Sequence, residues 1–394
     1  MKLDNARLCI LFAVALVMLS ATVVLHTFTS GSKSDFVPGG TLIEGFKPGK
    51  VDSIEITKDG DSVKLVRQNG GFYISDLKTK DGVMYPVKNE TLASLILDCT
   101  GVRLKSLVTA DSGVHRNYGL ALPEDLDDTF KSSEDYKAAT VVRFLDSENN
   151  LITGIVQGIP VEMSRGIYVR SLSGSEVYKS EGALNIPYLK TDYVEKKLTT
   201  FSEADVKKVA VKLADENYTI SKDDKGKIAL ENVPDGRDVK SSQVESVFKS
   251  LAELNLEDIY PISAEVVQGL KWKDNFFQCF MKDNEYIVYG ARVVVRDTGS
   301  DKEYLVRLQA FGPREDEIST AARQRDNKKA FALNAARQMA GQFNALHRHW
   351  VYKVSRWDAE KLCKPIKELL EEIDETKTGT GPEVKPTDPG ADSE

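Results

Sequence analysis

The chain has 394 residues, 41% of them hydrophobic and 29% charged, which suffices for two or three packed cores and excludes a chain that is disordered throughout. The formal net charge is −7. Residues 371–394 hold eight acids against Lys377 and Lys385, a net of −6, so the remainder is nearly neutral; with no basic stripe to neutralise phosphates, nucleic-acid binding is argued against.

Leu8 to Phe28 contains no Asp, Glu, Lys or Arg. About 20 such residues cross the ~30 Å hydrocarbon layer of a bilayer, so the stretch predicts a transmembrane helix. Lys2, Arg7 and the amino terminus precede it against Asp4 alone, and Lys33 and Asp35 cancel beyond it. The positive-inside rule then leaves the N-terminus in the cytoplasm and the body outside. A cleaved signal peptide is the competing reading. Its apolar core runs ~7–15 residues, and Ser20-Ala21-Thr22 makes a poor exit site, so the length favours an uncleaved single-pass anchor. Residues 29–46, rich in Ser and Gly at their start, are predicted to be a flexible tether.

From Val51 the pattern alternates. Ile54 and Ile56, Val63 and Leu65, and Phe72 and Ile74 are separated by Asp59-Gly60 and Asn69-Gly70, which predict hairpins. Lys88 to Leu104 repeats apolar residues at helical spacing through Leu92, Leu95, Ile96 and Cys99, with Asn89 placed to cap. Strand pairs follow at Val141–Phe144 with Leu151–Val156, and at Ile167–Arg170 with Val177-Tyr178. A short helix is predicted over Ala183 to Lys196.

The order then begins again. Val206–Leu213 alternates, Tyr218–Ile220 and Ile228–Leu230 flank a turn, and Lys240–Ile259 predicts a helix. Strands recur at Tyr286–Val295 and Tyr304–Phe311, and Val177-Tyr178-Lys179 recurs as Val351-Tyr352-Lys353. The fold class read from this is α+β: an N-terminal transmembrane helix, then two duplicated α+β units with mostly antiparallel sheets, over 47–200 and 201–373. At the repeat offset Cys99 faces Leu251, which makes the thiol a core residue.

Residues 314–346 have no counterpart in the first unit. Phe331, Ala335, Met339, Phe343 and Leu346 form an apolar stripe of helical period, with Arg323 and Arg325 ahead of it. The insertion reads as a surface helix packed on its own unit. Its functional alternative is a partner-docking arm carried by Phe331, Met339, Phe343, Arg323 and Arg325. Residues 374–394, rich in Pro, Gly, Thr and acids, are predicted to be disordered.

No chemistry stands out. Cys99, Cys279 and Cys363 have no zinc or redox spacing. His347-Arg348-His349 could face one way on a strand, but no further ligand stands at metal-site spacing, and it reads as a polar strand start before Trp350. There is no nucleophile elbow, zincin helix or P-loop. Asp59, Asp61, Asp223 and Asp224 fit hairpin turns and not a calcium loop. The residues therefore predict no catalytic site, no cofactor and no metal.

Tyr118-Gly119-Leu120 followed by Pro123, then Gly158, Tyr168-Val169-Arg170, Val177-Tyr178, Leu198 and Phe201, resembles the pattern of the bacterial domain of unknown function 4340. The resemblance implies a membrane-anchored, extracytoplasmic protein of the inner membrane with no assigned activity. Some members are encoded beside ABC-type transport components related to gliding-motility auxiliary proteins. It supplies no catalytic residues, and Tyr118-Gly119-Leu120 reads as a turn with an aromatic anchor. The expectation is a non-enzymatic accessory or scaffold subunit of a membrane complex, ABC-type by the resemblance, held at the bilayer by Leu8–Phe28. The alternative is an envelope binding module for a small ligand or glycan in the groove between the two units.

Overall fold

The computed structural model describes residues 37–372 except 135, 273–274 and 300. The predicted anchor Leu8–Phe28 and the acidic tail 374–394 lie outside the described residues. Among those described, no helix is long and apolar enough to cross a membrane.

The chain is α+β, and every strand pair with a described register is antiparallel. The first run of elements is β1 (Ser53–Lys58), β2 (Asp61–Gln68), β3 (Gly71–Lys78), β4 (Met84–Pro86), α1 (Asn89–Thr100), β5 (Leu104–Thr109), α2 (Asp128–Lys131), β6 (Thr140–Leu145), β7 (Leu151–Pro160), β8 (Ile167–Ser171) and β9 (Val177–Ser180). The second is β10 (Val206–Lys212), β11 (Asn217–Lys222), β12 (Ile228–Leu230), β13 (Arg237–Val239), α3 (Ser241–Lys249), β14 (Leu256–Pro261), β15 (Phe276–Met281), β16 (Val288–Asp297), β17 (Lys302–Phe311), α4 (Glu315–Arg323), α5 (Asn327–His347), β18 (Trp350–Val354), α6 (Arg356–Leu362), α7 (Ile366–Leu369) and β19 (Leu370–Glu372).

One large sheet runs β4-β3-β2-β1-β6-β7-β8-β9-β5, a second β12-β11-β10-β15-β16-β17-β18-β14, and β13 pairs with β19 in a small third. Leaving out β4, the two orders are the same once each strand is numbered from the start of its own run. In both, a hairpin meander precedes the helix, and the strand after the helix closes the far edge. The tight turns follow from backbone chemistry. Asp59-Gly60 and Asn69-Gly70 all have positive φ, the geometry of the two-residue hairpin turn that Asx-Gly favours.

Two compact units divide the chain, Met1–Arg67 with Asn89–Leu189 and Gln68–Lys88 with Lys190–Glu394. The β3–β4 segment groups with the second because Tyr85 is buried against Trp350, with ring centroids 5.2 Å apart, and Lys88 N–H donates to Tyr193 O.

Three sequence expectations need correction. The tether predicted over 29–46 ends early. Gly39 N–H donates to Leu104 O, Leu42 N–H donates to Val102 O, Ile43 is buried, and Phe46 packs edge-on against Phe144. The helix predicted over Ala183–Lys196 is irregular chain with one 3-10 turn at Lys190–Asp192. Pro187 removes a backbone donor there, and Lys196–Leu198 is drawn into hydrogen bonds with Leu254 and Leu256. The helix predicted over Lys240–Ile259 stops at Lys249. Its second half becomes β14, paired antiparallel with β18, and a bulge between Leu256 and Asp258 lets Leu256 and Ile259, three residues apart, both be buried.

Candidate functional site

The 314–346 segment forms α4 and α5, joined at Gln324–Asp326 with Arg325 in the left-handed region at φ 56°. Asp326 caps α5 by accepting from Lys329 N–H at 3.0 Å. A Glu315–Arg337 ion pair ties the start of α4 to the middle of α5. The buried stripe of α5 is Leu333, Ala336, Ala340 and His347, not the stripe of larger residues predicted. The reason is close approach. A Cβ on Gly312 would lie 3.0 Å from Ala340 Cβ, so only small residues fit where the helix meets the end of β17. Asn344 completes the joint, its side-chain amide both accepting from Ala310 N–H and donating to Ala310 O at 2.8 Å, as a neighbouring strand would.

The five docking candidates are thereby separated. Phe331 is 77% exposed and Met339 44%, and Arg323 and Arg325 are exposed. Phe343 instead belongs to a ring stack within the second unit. Its centroid lies 4.9 Å from Tyr289 and 4.2 Å from His347, and Tyr289 packs on Phe201 at 4.7 Å.

His347 and His349 do not face one way. His347 is the last residue of α5, 3% exposed, with Nδ1 2.6 Å from the Tyr352 hydroxyl. His349 lies outside the helix and accepts from Arg348 Nε at 2.8 Å. Burial pushes the His347 imidazole down to about 4, so it stays neutral. Burial also pushes the Tyr85 phenol, which hydrogen-bonds with Tyr352, up to about 12. Three buried polar rings that satisfy one another form a structural network, not an acid–base site.

On one face of the second sheet, Arg296 pairs with Glu303, which also receives Lys353 Nζ at 3.2 Å. Burial opposes ionisation of Glu303, but the Arg296 and Lys353 hydrogen bonds outweigh it and hold the carboxyl below its usual range. Nearby lies a cavity of about 650 Å³ with Leu270, Val293, Val294, Tyr304 and Ala359 among its walls. Its charged walls are largely paired, Glu360 with Arg356 at 2.6 Å and Lys364 with Glu368 at 3.6 Å. That lining suits a ligand with little net charge. The sequence carried no signal for it beyond the strand expected over Tyr286–Val295.

In the first unit the singled-out motif residues converge on packing. Tyr118 ends a 3-10 turn, Gly119 follows at φ 63°, and Leu120 is fully buried. Leu120 packs with Val141, Val156 and Val177, and Tyr118 lies 4.7 Å from Tyr168. Gly158 is required because a Cβ would collide with the Tyr118 carbonyl and reach 2.9 Å from Leu120 Cγ. Arg170, 4% exposed, donates through Nε to Leu120 O and through Nη1 to Ser171, Leu172 and Gly174 O at 3.1–3.3 Å. Cys99 and Cys279 are buried, and burial pushes both thiols up, Cys99 to about 12. Among the described residues, no group of three His, Cys, Asp or Glu could hold a metal ion.

A family model described as Domain of unknown function (DUF4340) matches residues 78–271, from the end of β3 to the loop after β14. No curated protein and no solved structure matches the chain.

Proposed function

We propose, from the match of residues 78–271 to the family model of the domain of unknown function DUF4340, that the chain is a membrane-anchored, extracytoplasmic accessory protein that acts by binding and not by catalysis. The observation that carries this reading joins the sequence to the fold. The chain is pinned to the first unit from Gly39 onward, so ten residues, Thr29 to Pro38, separate the apolar stretch from the folded body. Fully extended, they reach about 35 Å. The body therefore works against the membrane surface, within reach of an integral membrane complex. The proposed partner is such a complex, of the ABC-transport type that the resemblance implies. Phe331 and Met339, with Arg323 and Arg325 exposed on the same insertion, are the surface offered to it. Affinity purification from mild detergent tests this, using the intact chain, a chain lacking 314–346, and the full-length Phe331→Glu/Met339→Glu variant. A membrane complex should accompany the intact chain and be lost from both others. If no membrane protein accompanies the intact chain, the reading fails.

The 650 Å³ cavity favours a second reading, a binding module for a small ligand or glycan seated within the second unit. Saturable binding of a neutral oligosaccharide, weakened by Tyr304→Ala, would support it. A cavity that takes up no such probe would count against it.

A further inference from the structure

A second cleft in the second unit, about 380 Å³, has a different character. Its walls include Trp272, Phe276, Arg292, Arg307 and Arg348, and among the described residues no Asp or Glu lines it. Arg292 on β16 is directly opposite Arg307 on β17 in the register, so the two side chains share a face. Like charges facing each other across antiparallel strands are destabilising. Farther along the same two strands the arrangement is the opposite, for Arg296 faces Glu303 and is ion-paired to it. Among the described residues none of Arg292, Arg307 and Arg348 is ion-paired to a carboxylate. Arg348 uses Nε on His349.

The arginines are held in place by rings. Arg292 lies over Phe276, 5.3 Å from its centroid, and Arg307 lies over Trp272 at 5.5 Å. Phe276 is in turn held edge-on by Phe311 at 5.6 Å. Gly290 makes room for this pair, since a Cβ there would come within 2.6 Å of Phe276 Cζ. A guanidinium stacked on a ring keeps its N–H edge for acceptors, and the planar fork matches two oxygens of one carboxylate or phosphate. Burial lowers the Arg307 affinity for its proton, and the neighbouring Arg292 charge lowers it further, the strain that an anion between them would remove.

We propose that this cleft binds the oxyanion group of a small organic anion, with Arg292, Arg307 and Arg348 on its oxygens and its ring or apolar part against Trp272 and Phe276. The proposal does not depend on the membrane reading above. Isothermal titration of the full-length chain in detergent tests it, with phenyl phosphate as probe and with benzoate, inorganic phosphate and phenol as comparisons. Phenyl phosphate should bind saturably, at least tenfold more tightly than phenol, and more weakly as salt rises. Benzoate against phenyl phosphate identifies which oxyanion the cleft prefers. Arg307→Gln and Arg292→Gln should each weaken phenyl phosphate at least tenfold, while Arg323→Gln on the exposed end of α4 leaves it unchanged. The proposal is overturned if neither phenyl phosphate nor benzoate binds saturably, or if both bind the folded Arg292→Gln/Arg307→Gln variant as tightly as the parent.

Discussion

His347 should make the second unit acid-sensitive in a defined window. Its imidazole is buried against Phe343 and hydrogen-bonded to Tyr352, with an affinity for protons lowered from about 6.5 to about 4 by burial. The unfolded chain therefore takes up a proton at a pH where the folded chain does not. The lowered folded value means that the stabilisation is complete above pH ~6.5 and is lost as pH falls towards 4. At ~1.4 kcal/mol per unit, the loss is about 2 kcal/mol by pH 5 and about 3 kcal/mol by pH 4. Carboxylates held below their usual range, Glu303 and Glu195 among them, add their loss mainly below this window. The chain supplies its own reporter, for its three tryptophans, Trp272, Trp350 and Trp357, all belong to the second unit. Urea unfolding followed by tryptophan fluorescence at pH 7.5 and pH 5 should show the drop in the parent. In His347→Gln, which cannot titrate, the pH 7.5 value should be lower from imperfect packing, but the drop between the two pH values should shrink by about 2 kcal/mol. Equal drops in the two proteins would refute the reasoning.

In the first unit, Arg170→Met should cost about 3 kcal/mol by stranding four carbonyl oxygens, and Arg170→Lys should recover little, since one ammonium cannot span them. Calorimetry on the full chain would read this as a lower first-unit transition, and an unshifted transition would show that water replaces the guanidinium. Gly158→Ala should cost roughly 2–3 kcal/mol through its collision with the Tyr118 carbonyl, whereas Gly182→Ala, with open space around it, should be nearly neutral. Cys99 and Cys279 should resist thiol reagents at pH 8 in the folded chain and react on denaturation, because burial raises both thiols. Rapid labelling of either under native conditions would contradict their burial.

Period-2 alternation was enough to read the meanders, helped in the first by Asx-Gly turns, since β1 pairs with β2 and β10 with β11 across short connections. What escaped was whatever depends on partners distant in sequence. Phe276–Met281 does alternate, with Phe277, Cys279 and Met281 buried, yet its dense apolar run hides the period. Leu256–Pro261 continues a helical pattern and becomes a strand only because β18 is there to pair with it. The buried side of α5 was misassigned for a related reason. Hydrophobicity pointed to Phe331 and Met339, but proximity to Gly312 selects alanines, and the larger side chains are left outside. The arginine cleft could not be read at all, because Trp272, Arg292, Arg307 and Arg348 converge only through strand register and the end of a helix.

The family match and the two pockets proposed as binding sites occupy largely different parts of the chain. The match ends at Lys271. Every wall of the arginine cleft, the whole of α4 and α5, and most of the larger cavity follow it in sequence. Inside the match, the singled-out residues Gly119, Leu120, Gly158 and Arg170 are occupied by packing and by backbone carbonyls. A shared strand order in the two sheets sharpens the contrast. Where the first run passes from β8 to β9 across Leu172–Glu176, the second inserts two helices between β17 and β18, and Asn344 and Arg348 of that insertion become walls of the cleft. Substitutions that separate function from folding should therefore concentrate after Trp272, and those within 78–271 should register first as lost stability.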